Sequence, residues 1–83
     1  MKILYFAWLR EKAGRREEEL DIPPGVTKVG ELIAWLSSLD AGHAAAFSHP
    51  KQVRCAIDLE FAELDAPIHG AKEIAFFPPV TGG

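Results

Sequence analysis

Cysteine is nearly absent. Cys55 is the only one among 83 residues, so no internal disulfide can form. A structural zinc site takes about four ligands, and one Cys with scattered His residues lacks the paired spacing such sites use. Basic clusters are missing as well: no basic run exceeds Arg15-Arg16, and the formal net charge is −3. Nucleic-acid binding needs grouped Lys and Arg to neutralise phosphates, so it is not expected. No stretch approaches the ~20 apolar residues of a membrane span. The opening Met1 to Leu9 looks superficially like a signal peptide, but Arg10, Glu11 and Lys12 end it at once. No small-residue cleavage site follows, which predicts a cytoplasmic protein. Internal repeats and linkers are also absent.

What is present suits a small globular domain, with 48% hydrophobic and 25% charged residues. A chain of this length makes one core. Such a core yields only a few kcal/mol of net stability, roughly, and small domains lean on a disulfide, a metal or a partner. With the first two missing, a protein partner is the expected support.

Residues 2 to 8 (Lys-Ile-Leu-Tyr-Phe-Ala-Trp) are rich in aromatic and β-branched types and read as a strand. Both alternating sets, Leu4/Phe6/Trp8 and Ile3/Tyr5/Ala7, are apolar, so both faces are at least partly covered. Leu9 to Gly14 suits a short helical turn. Glu17 to Ile22 suits a charged edge strand, with Glu17-Glu18-Glu19 as a solvated rim. Pro23-Pro24-Gly25 is a turn. The clearest helix follows, with Thr27 as its N-cap and Glu31 placing negative charge near its positive end. Val29, Leu32, Ile33 and Leu36 form one apolar stripe, which Leu39 extends, and Asp40-Ala41-Gly42 ends the helix. Residues 43 to 52 read as loop or short helix. Val53 to Asp58 is a strand with Val53, Cys55 and Ile57 on one face, and Phe61 to Leu64 a shorter one. Asp65-Ala66-Pro67 and His69-Gly70 are turns. Glu73 to Phe77 is the last strand, stopped by Pro78-Pro79, which lack backbone donors.

Strand, strand, helix, strand, short strand, strand describes an α+β fold of β-grasp type: a mixed sheet packed on one main helix. The domain occupies residues 1–77, and residues 78–83 form an extended, flexible C-terminal arm. One helix has one stripe to bury and needs one sheet face. The opposite face stays open, so Phe6 and Phe77 do not both have an internal place.

The chain ends Phe77-Pro78-Pro79-Val80-Thr81-Gly82-Gly83. The prolines hold the backbone extended and out of the sheet. The residues beyond Phe77 span up to roughly 20 Å when extended. Gly82 and Gly83 have no side chains, so they can enter a tunnel too narrow for any other residue. Such an arm can deliver the Gly83 carboxylate deep into another protein. A carboxylate is a poor electrophile, but its attack on the α-phosphate of ATP gives an acyl-adenylate. A sulfur nucleophile then displaces AMP and leaves a thiocarboxylate, whose soft anionic sulfur can be passed on. No side chain of this chain is required for these steps.

Glu73-Ile74-Ala75-Phe76-Phe77-Pro78-Pro79-Val80-Thr81-Gly82-Gly83 resembles the C-terminal signature of the MoaD-type small subunits of molybdopterin synthase, within the ubiquitin-like sulfur carriers. Ile3-Leu4-Tyr5-Phe6-Ala7 with Leu9-Arg10-Glu11 resembles the family's first strand and turn, and Thr27-Lys28-Val29-Gly30-Glu31-Leu32 its helix start. Residues 40 to 52 alone fall outside the likeness. The resemblance implies a sulfur carrier rather than an enzyme in its own right. It implies three partners: an E1-like adenylyltransferase that spends ATP on Gly83, a sulfur donor protein, and the large synthase subunit. The large subunit would accept Pro78, Pro79, Val80, Thr81 and Gly82 in its active site, where sulfur passes to cyclic pyranopterin monophosphate in molybdopterin (molybdenum cofactor) biosynthesis. The family's complex is a heterotetramer with small subunits at its two ends. Phe6, Phe61 and Phe77 match family positions that form an apolar, partner-facing patch. No bound cofactor or metal is implied for the chain itself. Asp58-Leu59 departs from the family's usual Asn followed by a small or polar residue.

Other residues carry less. Cys55 reads as a buried small hydrophobe, and His43, His49 and His69 as surface or capping residues. Trp35 lies off the stripe and suits packing against residues 43 to 52. Lys28, Lys51 and Lys72 suit docking, with none singled out. Two other functions stay open: a related carrier for thiazole, cysteine or tRNA thiolation, and a non-covalent ubiquitin-like module that is never activated. A free-standing enzyme is not expected, because no nucleophile–base pair is present.

Overall fold

The computed structural model describes residues 1–79. The elements run β1 (Lys2–Tyr5), α1 (Trp8–Ala13), β2 (Glu17–Glu19), α2 (Val29–Ser37), α3 (Ala41–Ala46), a 3-10 turn (Pro50–Gln52), β3 (Arg54–Ile57), β4 (Glu60–Ala62) and β5 (Glu73–Phe77). The five strands form one sheet in the order β2-β1-β5-β3-β4. β1 and β5 pair in parallel at its centre, and the other pairings are antiparallel. This is the expected mixed sheet, with α2 as the longest of its helices.

Strand alternation divides the side chains cleanly. Ile3 and Tyr5 of β1, Ile74 and Phe76 of β5 and Cys55 of β3 are paired across the ladders and buried. They meet Val29, Leu32, Ile33 and Leu36 of α2, all buried as the stripe predicts. Leu9, Phe47, Val53 and Ile68, with Ala13 and Ala46, complete this core.

Several boundaries differ from the sequence reading. The first strand stops at Tyr5 rather than Trp8, because Ala7 adopts φ 54° and turns the chain into α1. α1 ends at Gly14, whose φ of 78° suits a residue without Cβ and whose N–H donates to the Arg10 carbonyl. The second strand covers only Glu17–Glu19, and the fourth stops at Ala62. The N-cap of α2 is Lys28, not Thr27. Glu31 thereby falls at the third helical position. It accepts from the backbone N–H of Thr27 at 2.7 Å and of Lys28 at 3.2 Å, and from the Thr27 hydroxyl at 2.9 Å. That is the glutamate half of a capping box. α2 ends at Ser37, so Leu39 lies past the helix and is exposed.

Asp40, expected to close a helix, opens one. Its carboxylate accepts from the His43 N–H at 2.9 Å and so caps α3, which packs on α1 and α2. The approach to α1 is close: a Cβ at Gly42 would stand 3.2 Å from the Lys12 carbonyl and 3.3 Å from that of Ala13.

His43 and Glu18 correct two further expectations. His43 is not at the surface but fully buried. Its Nδ1 lies 2.8 Å from Asp40 Oδ1 and its Nε2 2.7 Å from Glu18 Oε2. Both ring nitrogens face acceptors, so the doubly protonated imidazolium is the form that donates to both. Glu18 is not solvated rim. As the middle residue of β2 it pairs with Ile3 and points to the helix side, while Glu17 and Glu19 face outward to Lys2 and the N-terminal amine. Tyr5 donates its hydroxyl to Glu18 at 2.6 Å, and Arg15 contacts the other carboxylate oxygen at 2.9 Å. Burial pushes the Tyr5 hydroxyl far up, and the Glu18 contact adds to it.

Burial also pushes the Glu18 carboxyl up, but hydrogen bonds from Tyr5, His43 and Arg15 outweigh it and hold the group below its ordinary value of 4.5. Bonds from the His43 backbone and ring lower Asp40 in the same way. Both carboxyls bind protons more weakly folded than unfolded. Their contribution is therefore complete above the unfolded carboxylate range and is lost as pH falls through the lower folded values. Glu18→Gln is expected to flatten the decline in unfolding free energy between about pH 5 and pH 3. His43→Ala is expected to cost roughly 1–3 kcal/mol, since Asp40 and Glu18 both lose a buried donor while Glu18 keeps Tyr5 and Arg15. Urea denaturation across pH measures both.

Candidate functional site

The outer sheet face carries Lys2 and Leu4 of β1, Ala75 and Phe77 of β5, Arg54 and Ala56 of β3 and Phe61 of β4, all paired in register. Among the described residues no helix covers it, so its aromatics remain accessible. Phe61 is 85% exposed and Phe6 47%, whereas Phe76, the neighbour of Phe77 in sequence, is 0%. Phe77 itself is half-buried. Phe61 and Phe77 stand edge to face with centroids 5.8 Å apart. On the β3 strand between them, Arg54 pairs with Phe77 and the small Ala56 with Phe61, so the two rings meet diagonally across β3. Phe6 follows β1 by one residue, and its N–H donates to the Phe76 carbonyl at 3.0 Å. That bond puts it beside the end of β5, next to Phe77. The three aromatics expected to form a patch thus lie on one uncovered face.

Beside this patch runs a groove of about 530 Å³ lined by Ile33, Lys51, Arg54, Phe61, Leu64 and Phe77, among others. Arg54 is anchored there, donating to the carbonyls of Lys51 at 2.9 Å and Val53 at 3.2 Å. Among the three lysines considered for docking, Lys51 is the one in this groove. Pro78 and Pro79 leave β5 at the same end of the sheet, half-buried and outside any strand. Val80, Thr81, Gly82 and Gly83 lie outside the described residues.

Cys55 is buried on the opposite face, its Sγ 3.5 Å from the Ala62 carbonyl. Burial, with a smaller push from Glu63, raises its thiol above the ordinary range, which disfavours the reactive thiolate. It behaves as the small hydrophobe expected. Among the described residues, no cluster of His, Cys, Asp and Glu is arranged to hold a metal ion. Nor is any described helix long and apolar enough to cross a membrane.

Asp58 and Leu59 form the two-residue tip between β3 and β4, with φ of 47° and 73°. A tight hairpin of this kind requires left-handed backbone at both central positions, which Asp tolerates and Leu resists. Asp58 also ties the tip down, accepting at 2.9 Å from the N–H groups of both Lys72 and Glu73. Asp58 thus holds this turn itself. Sequence reasoning missed Leu59 as an exposed group; the signal was its place in a two-residue hairpin.

A five-stranded mixed sheet grasping one principal helix, with an open aromatic face at the exit of its last strand, defines a ubiquitin-like β-grasp protein. By sequence the chain belongs to the ThiS family, which it matches over residues 3–83. It is similar to the molybdopterin synthase sulfur carrier subunit of Escherichia coli K12, at 32% identity over 100% of this chain and 99% of that protein. The protein of the same name from Mycosarcoma maydis is 29% identical over 100% and 92%. Among solved structures, SAMP1 from Haloferax volcanii superposes with a TM-score of 0.71 at 28% identity, covering 100% and 98% of the two chains. A structure described as molybdopterin converting factor, subunit 1, from Pyrococcus furiosus gives 0.75 at 27% identity over 95% of each.

The two faces predict opposite mutational outcomes. Phe61→Ser is expected to change unfolding free energy by about 0.5 kcal/mol or less, since the ring is already in water. Phe76→Ala is expected to cost roughly 3–5 kcal/mol through the cavity it leaves. Equilibrium denaturation of both variants checks the assignment of faces.

Proposed function

We propose that this protein is a cytoplasmic sulfur carrier, the small subunit of a molybdopterin synthase, working through the carboxylate of Gly83. The reading rests above all on one observation: the Phe61–Phe77 ring pair, with exposed Phe6 nearby, stands where β5 hands over to Pro78-Pro79, and the sequence ends in Gly-Gly. The names of the curated relatives support it, as does the end-to-end coverage. Residues 1–77 serve as the docking body and residues 78–83 as the delivery arm. An aromatic patch docks the body while the arm reaches into the partner's active site.

An E1-like partner joins the Gly83 carboxylate to the α-phosphate of ATP and releases pyrophosphate. The outer sulfur of a donor protein's persulfide attacks the acyl carbon and AMP leaves; a thiol then cleaves the acyl disulfide, forming a disulfide with the donor and releasing the thiocarboxylate. The resulting thiocarboxylate enters the large subunit through Val80, Thr81, Gly82 and Gly83, and its sulfur passes to cyclic pyranopterin monophosphate. The assembled synthase is a heterotetramer, and sulfur-transferring activity belongs to that complex. The carrier binds no cofactor of its own. The buried, proton-holding thiol of Cys55 leaves the C-terminus as the sulfur-bearing group.

Intact mass spectrometry after incubation with ATP, an activating enzyme and a sulfur source tests this. One oxygen-for-sulfur exchange is expected, absent when Gly83 is deleted. An unchanged mass with an activating enzyme proven on another carrier supports the non-covalent module instead.

A further inference from the structure

Residues 58–65 read Asp-Leu-Glu-Phe-Ala-Glu-Leu-Asp, acidic and apolar with no basic residue among them. They contain β4, the edge strand whose outer side has no strand partner among the described residues. Leu59 is 87% exposed, Phe61 85% and Leu64 52%. A shallow hollow of about 540 Å³ opens on this edge. Ile57, Ala62 and Ala66 give it apolar walls, and Glu60, Glu63 and Asp65 stand around it. Among the described residues, none of those three carboxylates has a Lys, Arg or His partner within 4.0 Å. On the opposite edge strand the acids are matched: Glu17 with Lys2, Glu19 with the N-terminal amine and Glu18 with Arg15. The negative charge at β4 is thus left uncompensated around an apolar surface.

We infer that the free edge of β4 is a second docking strip, built for a protein segment that carries arginine or lysine beside apolar side chains. A long cationic side chain lays its hydrocarbon stem on the walls of the hollow and its head among Glu60, Glu63 and Asp65. Leu59 fits the same role. At φ 73° it strains the hairpin tip and packs on little within the chain, so its contribution lies outside the fold. The strip is continuous with the aromatic patch through Phe61, and the partner is accordingly the large synthase subunit. This inference rests on the proposed function for that choice of partner.

Calorimetric titration of the full chain with the large subunit of the same organism tests it. Neutralising the strip with Glu60→Gln, Glu63→Gln and Asp65→Asn together is expected to weaken binding about tenfold and to flatten its dependence on salt. Leu59→Gly is expected to weaken binding while leaving the thermal midpoint unchanged or higher. Wild-type affinity and salt dependence in the neutralised protein overturn the strip and leave the proposed function standing. No binding by the unaltered chain overturns both.

Discussion

The parallel pairing of β1 with β5 places the first and last strands of the chain side by side at the centre of the sheet. Ile3 faces Ile74 and Tyr5 faces Phe76, so the ladder that joins the ends also lays the floor of the core. A parallel pair cannot be joined by a tight turn, and the connection here carries every other element. α2 lies on one face of that ladder. The opposite face, uncovered among the described residues, holds Phe77 and Phe61. The same pairing fixes where the chain leaves the sheet, at Pro78 beside Phe77.

The two faces of β5 separate a sealed aromatic from an accessible one. Consecutive phenylalanines point opposite ways: Phe76 is sealed in the core against Phe47 and Tyr5, and Phe77 meets Phe61 at the surface. The sealed side carries a polar device as well. Tyr5, Glu18, His43, Asp40 and Arg15 link β1, β2, α3 and the loop between α1 and β2 in one fully satisfied network. It anchors the short edge strand that hydrophobic burial alone would hold weakly, since β2 has only three residues.

Much of this was legible in the sequence because it rests on periodicity. The α2 stripe, the alternation in β3 and the span of β5 each follow from local spacing. Pro78-Pro79 marked the end of the last strand for a local reason too, the missing N–H groups. The open face and its aromatics followed from counting one helix against two sheet faces. What escaped depended on contacts distant in sequence. His43 and Glu18 are 25 positions apart, and nothing near either residue announces the other. Three consecutive glutamates look like a solvated run, yet pleating turns the middle one inward. Thr27 looked like a cap because its residue type suits one; the Glu31 carboxylate, reaching back to two backbone donors, set the helix start one residue later. The left-handed Leu59 came from hairpin geometry, which residue preference alone would have assigned to Asn or Gly.

The central claim is that the folded body docks and the terminal glycine reacts, as separable parts of one chain. Single-turnover conversion of cyclic pyranopterin monophosphate by the large subunit, supplied with the thiocarboxylated chain, measures this directly. The account predicts that the chain lacking Gly83 forms the complex with near-normal affinity and yields no dithiolene, while Phe77→Asp weakens complex formation yet leaves the thiocarboxylate reactive once bound. Dithiolene formation from the chain lacking Gly83 would contradict it.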